Sequence, residues 1–468
     1  MSESESEVAT LQQTADTTHD ADDRLTPEFV DAVRDRVEAG DSAGAHALVE
    51  PLHPADIADL FELVPDEDRQ PLAAAITDLL DGDVLAEMND WVRESVIEEL
   101  SAHQVAELAT ELDTDDAVAI IEDLDEEDQR AVLRAMEPDD RAAIEDALSY
   151  PEESAGRLMQ RDLIAVPEHW TVGDTIDFLR GHDELTTDFW EIFVVDLAHK
   201  PVGTCKVSWV MRAPDGTPIT EVMEAEQTLI PADMDQEEVA LRFQKYALIS
   251  AAVIDRTGRL VGMITVDDIV HIIQQEASED VLLLSGAGDG DINEPLASTI
   301  RQRMWWLFIN LWTAILAAGV VALFQDTIAK LVTLAVLMGI VNGMGGNAAT
   351  QTMAVTVRAL ATNQLTGSNT WRMIVREWWI ASANGLGLGL LMAIGCQIIY
   401  HDWWLSLVLF LAMIINSINA GLSGVLIPLA LDKFKIDPAV TSTVFVTTMT
   451  DTMGFFAFLG LATLFHLS

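Results

Sequence analysis

The sequence AVTSTVFVTTMTDTMGFFAFLGLATLF occupies residues 439–465 and contains a single charged residue, Asp451. The run exceeds the roughly 20 apolar residues that a helix needs to cross a bilayer. A carboxylate at membrane depth costs on the order of 3 kcal/mol, so it faces a water-filled path or a partner on a neighbouring helix rather than lipid. The first alternative predicts a cation pathway, the second a helix–helix contact, and this run alone favours neither.

Four further apolar runs precede this one, at residues 305–324, 331–357, 378–400 and 403–431. We therefore predict an α-helical transmembrane domain of five spans over residues 305–468. With five spans, nearly all Arg and Lys residues near the runs fall on one side of the membrane. Because positive charge stays on the cytoplasmic side, the sequence predicts a multi-pass protein of the cell membrane with a cytoplasmic N-terminus and an extracellular C-terminus.

Acidic residues are concentrated before the membrane domain. Residues 1–300 hold 71 of the 77 Asp and Glu but 18 of the 26 Lys and Arg, a net charge of −53, whereas residues 301–468 have a net charge of +2. Such a field repels nucleic acid and attracts divalent cations. It is also typical of a halophilic acidic proteome, so we assign roles only to acids at special positions.

The N-terminal half divides by pattern. We predict a disordered acidic tail over 1–25 and an all-α N domain over 26–150, built from short amphipathic helices. His53–Leu60 resembles Ser101–Leu108 at an offset of 48 residues, which predicts a helical repeat stacked into a superhelix.

Residues after the N domain change to mixed α/β character, and this part is also duplicated. Val195–Gly203 recurs as Ile254–Gly262. The two copies, 151–222 and 223–276, resemble a tandem pair of CBS domains. The second copy fits that pattern well, but the first departs from it, which leaves ATP binding by the pair open. Residues 277–304 are predicted to form a connecting helix between these domains and the membrane.

A polar segment interrupts the second apolar run, from Gly339 to Gln351. It contains Gly343, Gly346 and Asn347. An unwound turn here would direct carbonyl groups at a hydrated cation, and the alternative is close packing of small residues between helices. Asn347 and Gln351 are one helical turn apart, and we favour a pore-lining role for them.

Asp437 and Asp451 are separated by 14 residues, close to four helical turns, so a regular helix would place both on nearly one face about 21 Å apart. Asp437 followed by Pro438 also fits a helix N-cap with proline at the first helical position. Carboxylate, amide and carbonyl oxygens suit an ion that keeps most of its water, as Mg²⁺ does. One Asp per chain is thin coordination, which favours a two-fold pore.

Five motifs occur in one order along the chain: His53–Leu60, Tyr150–Met159, Glu276–Asp280, Asn342–Gln351 and Asp437–Asp451. Together they resemble MgtE-type magnesium channels, from about residue 26 to the C-terminus. The resemblance implies a homodimer in the lipid bilayer, for which Mg²⁺ is both the transported and the regulatory ion. Cytoplasmic Mg²⁺ would lock the soluble domains together and hold the connecting (plug) helix against the pore.

The same resemblance implies roles for particular residues. Asp451 would be the central pore acid and Asn347 the pore-lining amide. The acids that bind sensing Mg²⁺ near the connector would be Asp268, Glu276, Glu279 and Asp280.

Two other classes of protein fit the sequence less well. An ion-coupled secondary transporter or exchanger of divalent cations would be supported by repeats within the spans, and no convincing repeat is present. An intramembrane metalloprotease would need a His-Glu-x-x-His motif, and none of the ten histidines belongs to one. The sequence therefore predicts a transport protein and not an enzyme.

Overall fold

The computed structural model describes residues 18–97, 100–122, 124–181, 189–285 and 293–465. The chain divides into two compact units, Met1–Ile273 and Gln274–Ser468, which are described separately. The predicted disordered tail lies largely outside the described residues, as does the middle of the predicted connector.

The first part of the first unit is all helical. Its helices are α1 Pro27–Glu38, α2 Ser42–Val49, α3 Pro54–Leu63, α4 Asp66–Ala75, α5 Gly82–Glu87, α6 Asp90–Ile97, α7 Ala102–Glu111, α8 Thr114–Glu122, α9 Glu126–Ala135 and α10 Pro138–Ala147. Most begin at a polar side chain that accepts a hydrogen bond from the first turn, because the first backbone N–H groups of a helix have no partner within it. Their apolar faces form one core around Leu60, Phe61, Leu85 and Ile121.

The two stretches predicted to be repeats take equivalent positions in this domain. Each starts a ten-residue helix, α3 after His53 and α7 after Ser101. Ser101 and Gln104 form a reciprocal capping box, whereas His53 accepts through its ring nitrogen from Ala55 and is followed by proline. The two copies therefore share the same helix but differ in the residues that cap it.

The α/β part contains two three-stranded sheets, with elements β1 Ala165–Pro167, α11 Val172–Gly181, β2 Glu191–Val195, β3 Pro201–Lys206, α12 Val207–Val210, α13 Ile219–Val222, β4 Leu229–Pro231, α14 Gln236–Tyr246, β5 Ser250–Ile254, β6 Leu260–Thr265 and α15 Val266–Ser285. In each sheet the first pair of strands is parallel and the second antiparallel. The register shifts at Val194/Val195 and again at Val253/Ile254, which are corresponding positions. The predicted duplication is therefore visible in the structure.

Two glycines show how close the pieces of this duplicated region approach. A Cβ atom on Gly203 would lie 2.6 Å from the sulfur of Met223, and one on Gly262 would lie 2.7 Å from the sulfur of Met159. Phe193 of one sheet and Ala252 and Met263 of the other share one buried cluster. The two copies pack together as a pair.

The second unit contains the apolar helices: α16 Leu296–Leu323, the short α17 Gln325–Lys330, α18 Thr333–Ala361, α19 Thr370–Tyr400, α20 Trp403–Lys433 and α21 Pro438–Leu464. Within the described residues, four segments are long and apolar enough to cross a membrane: Leu296–Leu323, Thr370–Tyr400, Trp403–Lys433 and Thr443–Leu464. The helix at the predicted second span, α18, is equally long, but the glycines and amides of Gly339–Gln351 lower its hydropathy. Five spans thus remain our proposal.

Of the two alternatives given for that segment, the structure excludes the unwound turn, because α18 is helical without interruption from Thr333 to Ala361. Glycine costs about 1 kcal/mol in a helix interior in water, but in a bilayer every backbone group must be bonded internally, which favours the continuous helix. Two of its contacts are very close: a Cβ on Gly345 would lie 2.1 Å from Asn416 Nδ2, and one on Gly424 would lie 2.9 Å from the Ala349 carbonyl oxygen. Small residues bring α18 and α20 together.

Residues 277–304, predicted to be one connecting helix, divide between two described helices. Residues 277–285 continue α15, and residues 296–304 begin α16. The end of α15 packs inside the second unit, where Leu283 and Leu284 contact a buried cluster of Ala349, Met353, Ala420 and Val446.

Candidate functional site

Asp451 lies on α21 and is partly buried. Its Oδ1 accepts a hydrogen bond of 2.8 Å from Nδ2 of Asn342 on α18. No other hydrogen bond to the carboxylate is formed by the described residues, so Oδ2 is left to accept from water or to face a cation. The carboxylate is thus oriented by an amide rather than neutralised by a basic group.

Asn416 on α20 completes a cluster with this pair. It is 1% exposed, and its Nδ2 donates to the Val341 carbonyl at 2.7 Å. A Cβ placed on Gly454 would lie 2.9 Å from Asn342 Oδ1 and 3.1 Å from Asn416 Oδ1, so both amide oxygens converge over this glycine. Neither oxygen has a hydrogen-bond partner among the described residues. Three helices therefore bring two amide oxygens, unpaired among the described residues, together over Gly454, about one helical turn from Asp451.

Asn347, the predicted pore-lining amide, does not belong to this cluster. Asn347 is exposed on α18, and five residues of helix turn it about 140° away from Asn342. Gly343 is exposed as well, and a Cβ on either Gly343 or Gly346 would have no heavy atom within 4 Å. The three predicted site residues Gly343, Gly346 and Asn347 therefore lie on an open face of α18. Gly345, which packs against Asn416, lies on a different face of this helix.

Asp437 is exposed and caps α21, where its Oδ1 accepts from the Ala439 N–H at 2.7 Å. The capping interpretation of Asp437-Pro438 is therefore confirmed. A pore role for this carboxylate stays a prediction.

A second acidic cluster lies in the first unit. Asp268, in the first turn of α15, accepts from the Thr265 hydroxyl at 2.5 Å, and its carboxyl contacts that of Asp115 on α8. Asp115 is buried, and no described donor reaches its Oδ1. Two carboxyl groups in contact disfavour a second negative charge, so the pair is stabilised by a shared proton or by a cation.

Burial and mutual repulsion change the acidity of this cluster. Burial, followed by the charge of Asp268, raises the pKa of Asp116 to about 7 and raises the pKa of Asp115 well above its usual range. Burial likewise raises the pKa of Asp268 to about 6. The cluster therefore takes up protons near neutral pH when no other cation is present.

The remaining predicted sensing acids lie farther along α15. Glu276 is partly buried and Glu279 exposed, while the side chain of Asp280 lies outside the described part of the chain. Among the described residues, no group of three or more His, Cys, Asp or Glu side chains is arranged to hold a metal ion alone.

Sequence reasoning missed Asp115, Asp116, Asn342 and Asn416 as site residues. The two aspartates stand in a helix first turn, where acids are ordinarily structural, so no local signal separates them. Asn342 was in the polar segment but was not distinguished from Asn347. Asn416 could have been selected from the sequence, because a polar side chain inside an apolar run needs a polar partner.

The end of α15 contacts α21 within the second unit. The Thr443 hydroxyl donates to the Leu284 carbonyl at 2.8 Å. Thr443 precedes Asp451 by eight residues on the same helix, which corresponds to about 12 Å along its axis. The segment after the CBS pair is thus bonded directly to the helix that carries the central carboxylate.

Comparison with known proteins agrees with this organisation. The sequence profile described as "Divalent cation transporter" (MgtE) matches residues 338–461, that of the "MgtE intracellular N domain" matches residues 52–153, and that of the CBS domain matches residues 219–275. The magnesium transporter MgtE of Bacillus subtilis is 29% identical over 319 residues, which is 68% of this chain and 71% of the relative. The magnesium transporter MgtE of Thermus thermophilus is 29% identical over 318 residues, 67% of this chain and 70% of the relative.

Among solved structures, the cytosolic domain of the Mg²⁺ channel MgtE in complex with ATP matches with a TM-score of 0.48 and 26% identity, covering 52% of this chain and 99% of that one. The profiles match in the order of the five sequence motifs and coincide with the helical domain, the second sheet of the α/β pair and the apolar helices. The chain is therefore a multi-pass membrane protein and belongs to the MgtE family.

Proposed function

We propose that this protein is a Mg²⁺-selective channel for magnesium uptake that closes when Mg²⁺ binds to its acidic cytoplasmic domains. The observation that carries the proposal is the hydrogen bond from Asn342 to Asp451, which fixes a carboxylate between apolar helices. The relatives named magnesium transporter support Mg²⁺ as the transported ion.

The oxygen-only chemistry favours a hydrated ion. Mg²⁺ demands octahedral oxygen coordination and gives up water reluctantly, so it is bound by one or two carboxylates plus water more often than by a protein cage. Asp451, whose Oδ2 has no hydrogen-bond partner among the described residues, suits such an ion through its water shell. Zinc or copper would favour His or Cys.

A homodimer would complete the pore. The face of α18 that carries Gly343, Asn347 and Thr350 is exposed and polar within a single chain. Polar residues of membrane helices face a cavity or a partner rather than lipid, so we place this face toward the second copy. Five spans with a cytoplasmic N-terminus and an extracellular C-terminus follow from the charge pattern.

The regulatory ion would act at the acidic cluster of Asp115, Asp116 and Asp268. Without metal these carboxylates repel each other once they are deprotonated, and a divalent cation that bridges them stabilises the compact state by its higher affinity for that state. Glu276, Glu279 and Asp280 extend the predicted sensor along α15. Movement of this helix would reach the pore through the bond from Thr443 to the Leu284 carbonyl.

Mg²⁺ influx into liposomes that contain the full chain tests the proposal, with the soluble domains exposed to low or high Mg²⁺ and no counter-ion gradient. We expect Asp451→Asn, which keeps the side-chain shape, to reduce influx at least tenfold. We expect Asp268→Asn to leave influx intact at low Mg²⁺ but to raise the Mg²⁺ concentration that closes the parent. Undiminished influx in Asp451→Asn would remove the pore assignment, and influx that requires a counter-ion gradient would favour the exchanger.

A further inference from the structure

An open pocket of about 680 Å³ lies where α18 ends and α19 begins. Its walls include Arg358 and Val355 from α18 and Arg372, Met373 and Arg376 from α19. Three arginines thus line one concave surface. None of the residues discussed for ion conduction or sensing belongs to this surface.

Hydrogen bonds within the connecting loop hold the pocket in shape. Asn369 Nδ2 donates to the Gln364 carbonyl at 2.8 Å, and Asn369 Oδ1 accepts from the Thr366 N–H at 2.8 Å. The N–H groups of Gln364 and Leu365 both donate to the Ala359 carbonyl at 2.9 Å. Because the loop is bonded across its width, the backbone positions of the arginines at the ends of α18 and α19 are fixed before a ligand binds.

The positive charge of the pocket is not neutralised within the described part of the chain. Arg358, Arg372 and Arg376 are exposed, and none forms an ion pair with a described residue, in a protein with 77 acidic and 26 basic residues. Glu377, the adjacent acid, is buried and lies 3.4 Å from the Thr352 hydroxyl on the packed side of α19. Other arginines, such as Arg34 and Arg157, pair with acids.

We propose that this pocket binds the headgroup phosphate of an anionic membrane lipid. Planar guanidinium groups match phosphate oxygens in a bidentate manner, and the N-terminus of α19 adds a favourable dipole. Basic pockets between membrane helices at the cytoplasmic surface are known to hold lipid headgroups.

The surroundings favour a lipid over a soluble phosphate. Val355 is 51% exposed and Trp371 is 74% exposed, so apolar surface continues from the arginines toward the bilayer. Tryptophan is enriched at the headgroup level of membranes. The preference of basic residues for the cytoplasmic side would account for arginines between α18 and α19. It does not require all three arginines to line one pocket. The inference rests on membrane insertion and does not depend on the ion that is transported.

Native mass spectrometry of the delipidated full chain in detergent tests the site, with phosphatidylglycerol and phosphatidylcholine as probes. The pocket variant is Arg358→Gln/Arg372→Gln/Arg376→Gln. The control variant, Arg303→Gln/Lys433→Gln/Lys435→Gln, loses the same charge outside the pocket. Thermal unfolding in detergent verifies that both variants fold. At about 1 kcal/mol for each basic residue, we expect phosphatidylglycerol binding to weaken about 100-fold in the pocket variant and less than threefold in the control.

Each alternative outcome would overturn the assignment. Equal weakening in both variants would indicate a diffuse basic surface. Equal binding of phosphatidylcholine would indicate apolar contact alone. If glycerol 3-phosphate binds the parent as tightly as phosphatidylglycerol does and displaces it, the ligand is a soluble phosphate ester. These measurements need no Mg²⁺ flux, so their failure would be distinct from failure of the proposed channel function.

Discussion

Asn342 and Asp451 are 109 positions apart in the sequence, yet a 2.8 Å hydrogen bond joins their side chains between α18 and α21. The bond holds one carboxylate oxygen and leaves the other unbonded by described residues. The Asn342 amide orients the Asp451 carboxylate without neutralising its charge. Such a partner suits a carboxylate that must attract a cation and release it again.

Replacing Asn342 with leucine should impair transport. The change removes the donor to Asp451, and a hydrogen bond to a charged group contributes about 1.5–3 kcal/mol, so we expect Mg²⁺ influx to fall about 10- to 100-fold. Influx into liposomes at low Mg²⁺ on the side of the soluble domains measures the effect. Asn384→Leu, at an exposed amide of α19, is the control and should transport at the parent rate. Parent-level influx in Asn342→Leu would show that the bond has no role in conduction.

Gly345→Ala should destabilise the helix bundle. The added Cβ would lie 2.1 Å from Asn416 Nδ2, a distance that forces α18 and α20 apart or displaces the amide. Overpacking of this kind costs about 1–3 kcal/mol. Thermal unfolding in detergent should therefore show a lower midpoint for Gly345→Ala, and an unchanged or higher midpoint for Gly339→Ala on the same helix, where no heavy atom lies within 4 Å. Equal midpoints would mean that this contact is looser than described.

The acidic cluster should make stability fall as pH rises when metal is absent. The pKa of Asp116 is raised to about 7 and that of Asp268 to about 6, both above the ordinary value of about 3.9 for aspartate. Between pH 4 and 7 the folded state consequently binds more protons than the unfolded state, so the free energy of unfolding decreases with pH and levels off above about pH 7. Asp116→Asn should flatten this dependence and raise the free energy of unfolding at pH 8 by up to about 4 kcal/mol, since one pKa unit corresponds to about 1.4 kcal/mol.

Hydrogen exchange of the full chain in EDTA, followed in peptides that cover α8, measures this dependence after correction for intrinsic exchange rates. Addition of Mg²⁺ at pH 8 should restore protection in the parent and have a smaller effect in Asp116→Asn. Protection that rises with pH in the parent would contradict the assignment of raised pKa values.

Two substitutions of Asp437 separate its capping role from a pore role. Serine can accept the hydrogen bond from the Ala439 N–H without a charge, so Asp437→Ser should keep the parent stability, whereas Asp437→Ala should lose about 1 kcal/mol. If Asp437 also attracts Mg²⁺ at the pore mouth, as proposed, Asp437→Ser should reduce influx severalfold. Thermal unfolding and influx measured on the same preparations decide the question, and parent influx in Asp437→Ser would leave capping as its only role.

Much of the organisation was determined by the sequence itself. The apolar runs, the duplication around Val195–Gly203 and Ile254–Gly262, and the helical pattern before them predicted elements that the structure contains, because hydrophobic periodicity and strand repeats are local properties. Asp451 could be selected for the same reason, since a lone charge in an apolar run is visible without knowledge of its neighbours.

The tertiary structure decided which residues meet. Asn342 rather than Asn347 reaches Asp451, and Asp115 rather than a neighbour along α15 contacts Asp268. Each choice depends on the rotation of one helix against another. Between α18 and α21, for example, Gly454 leaves room for the side chain of Asn342, because a Cβ there would lie 2.9 Å from Asn342 Oδ1. The periodicity of a helix shows which residues share one of its faces. Only the packed bundle determines the neighbouring helix toward which that face is turned, and therefore which atoms could bind an ion.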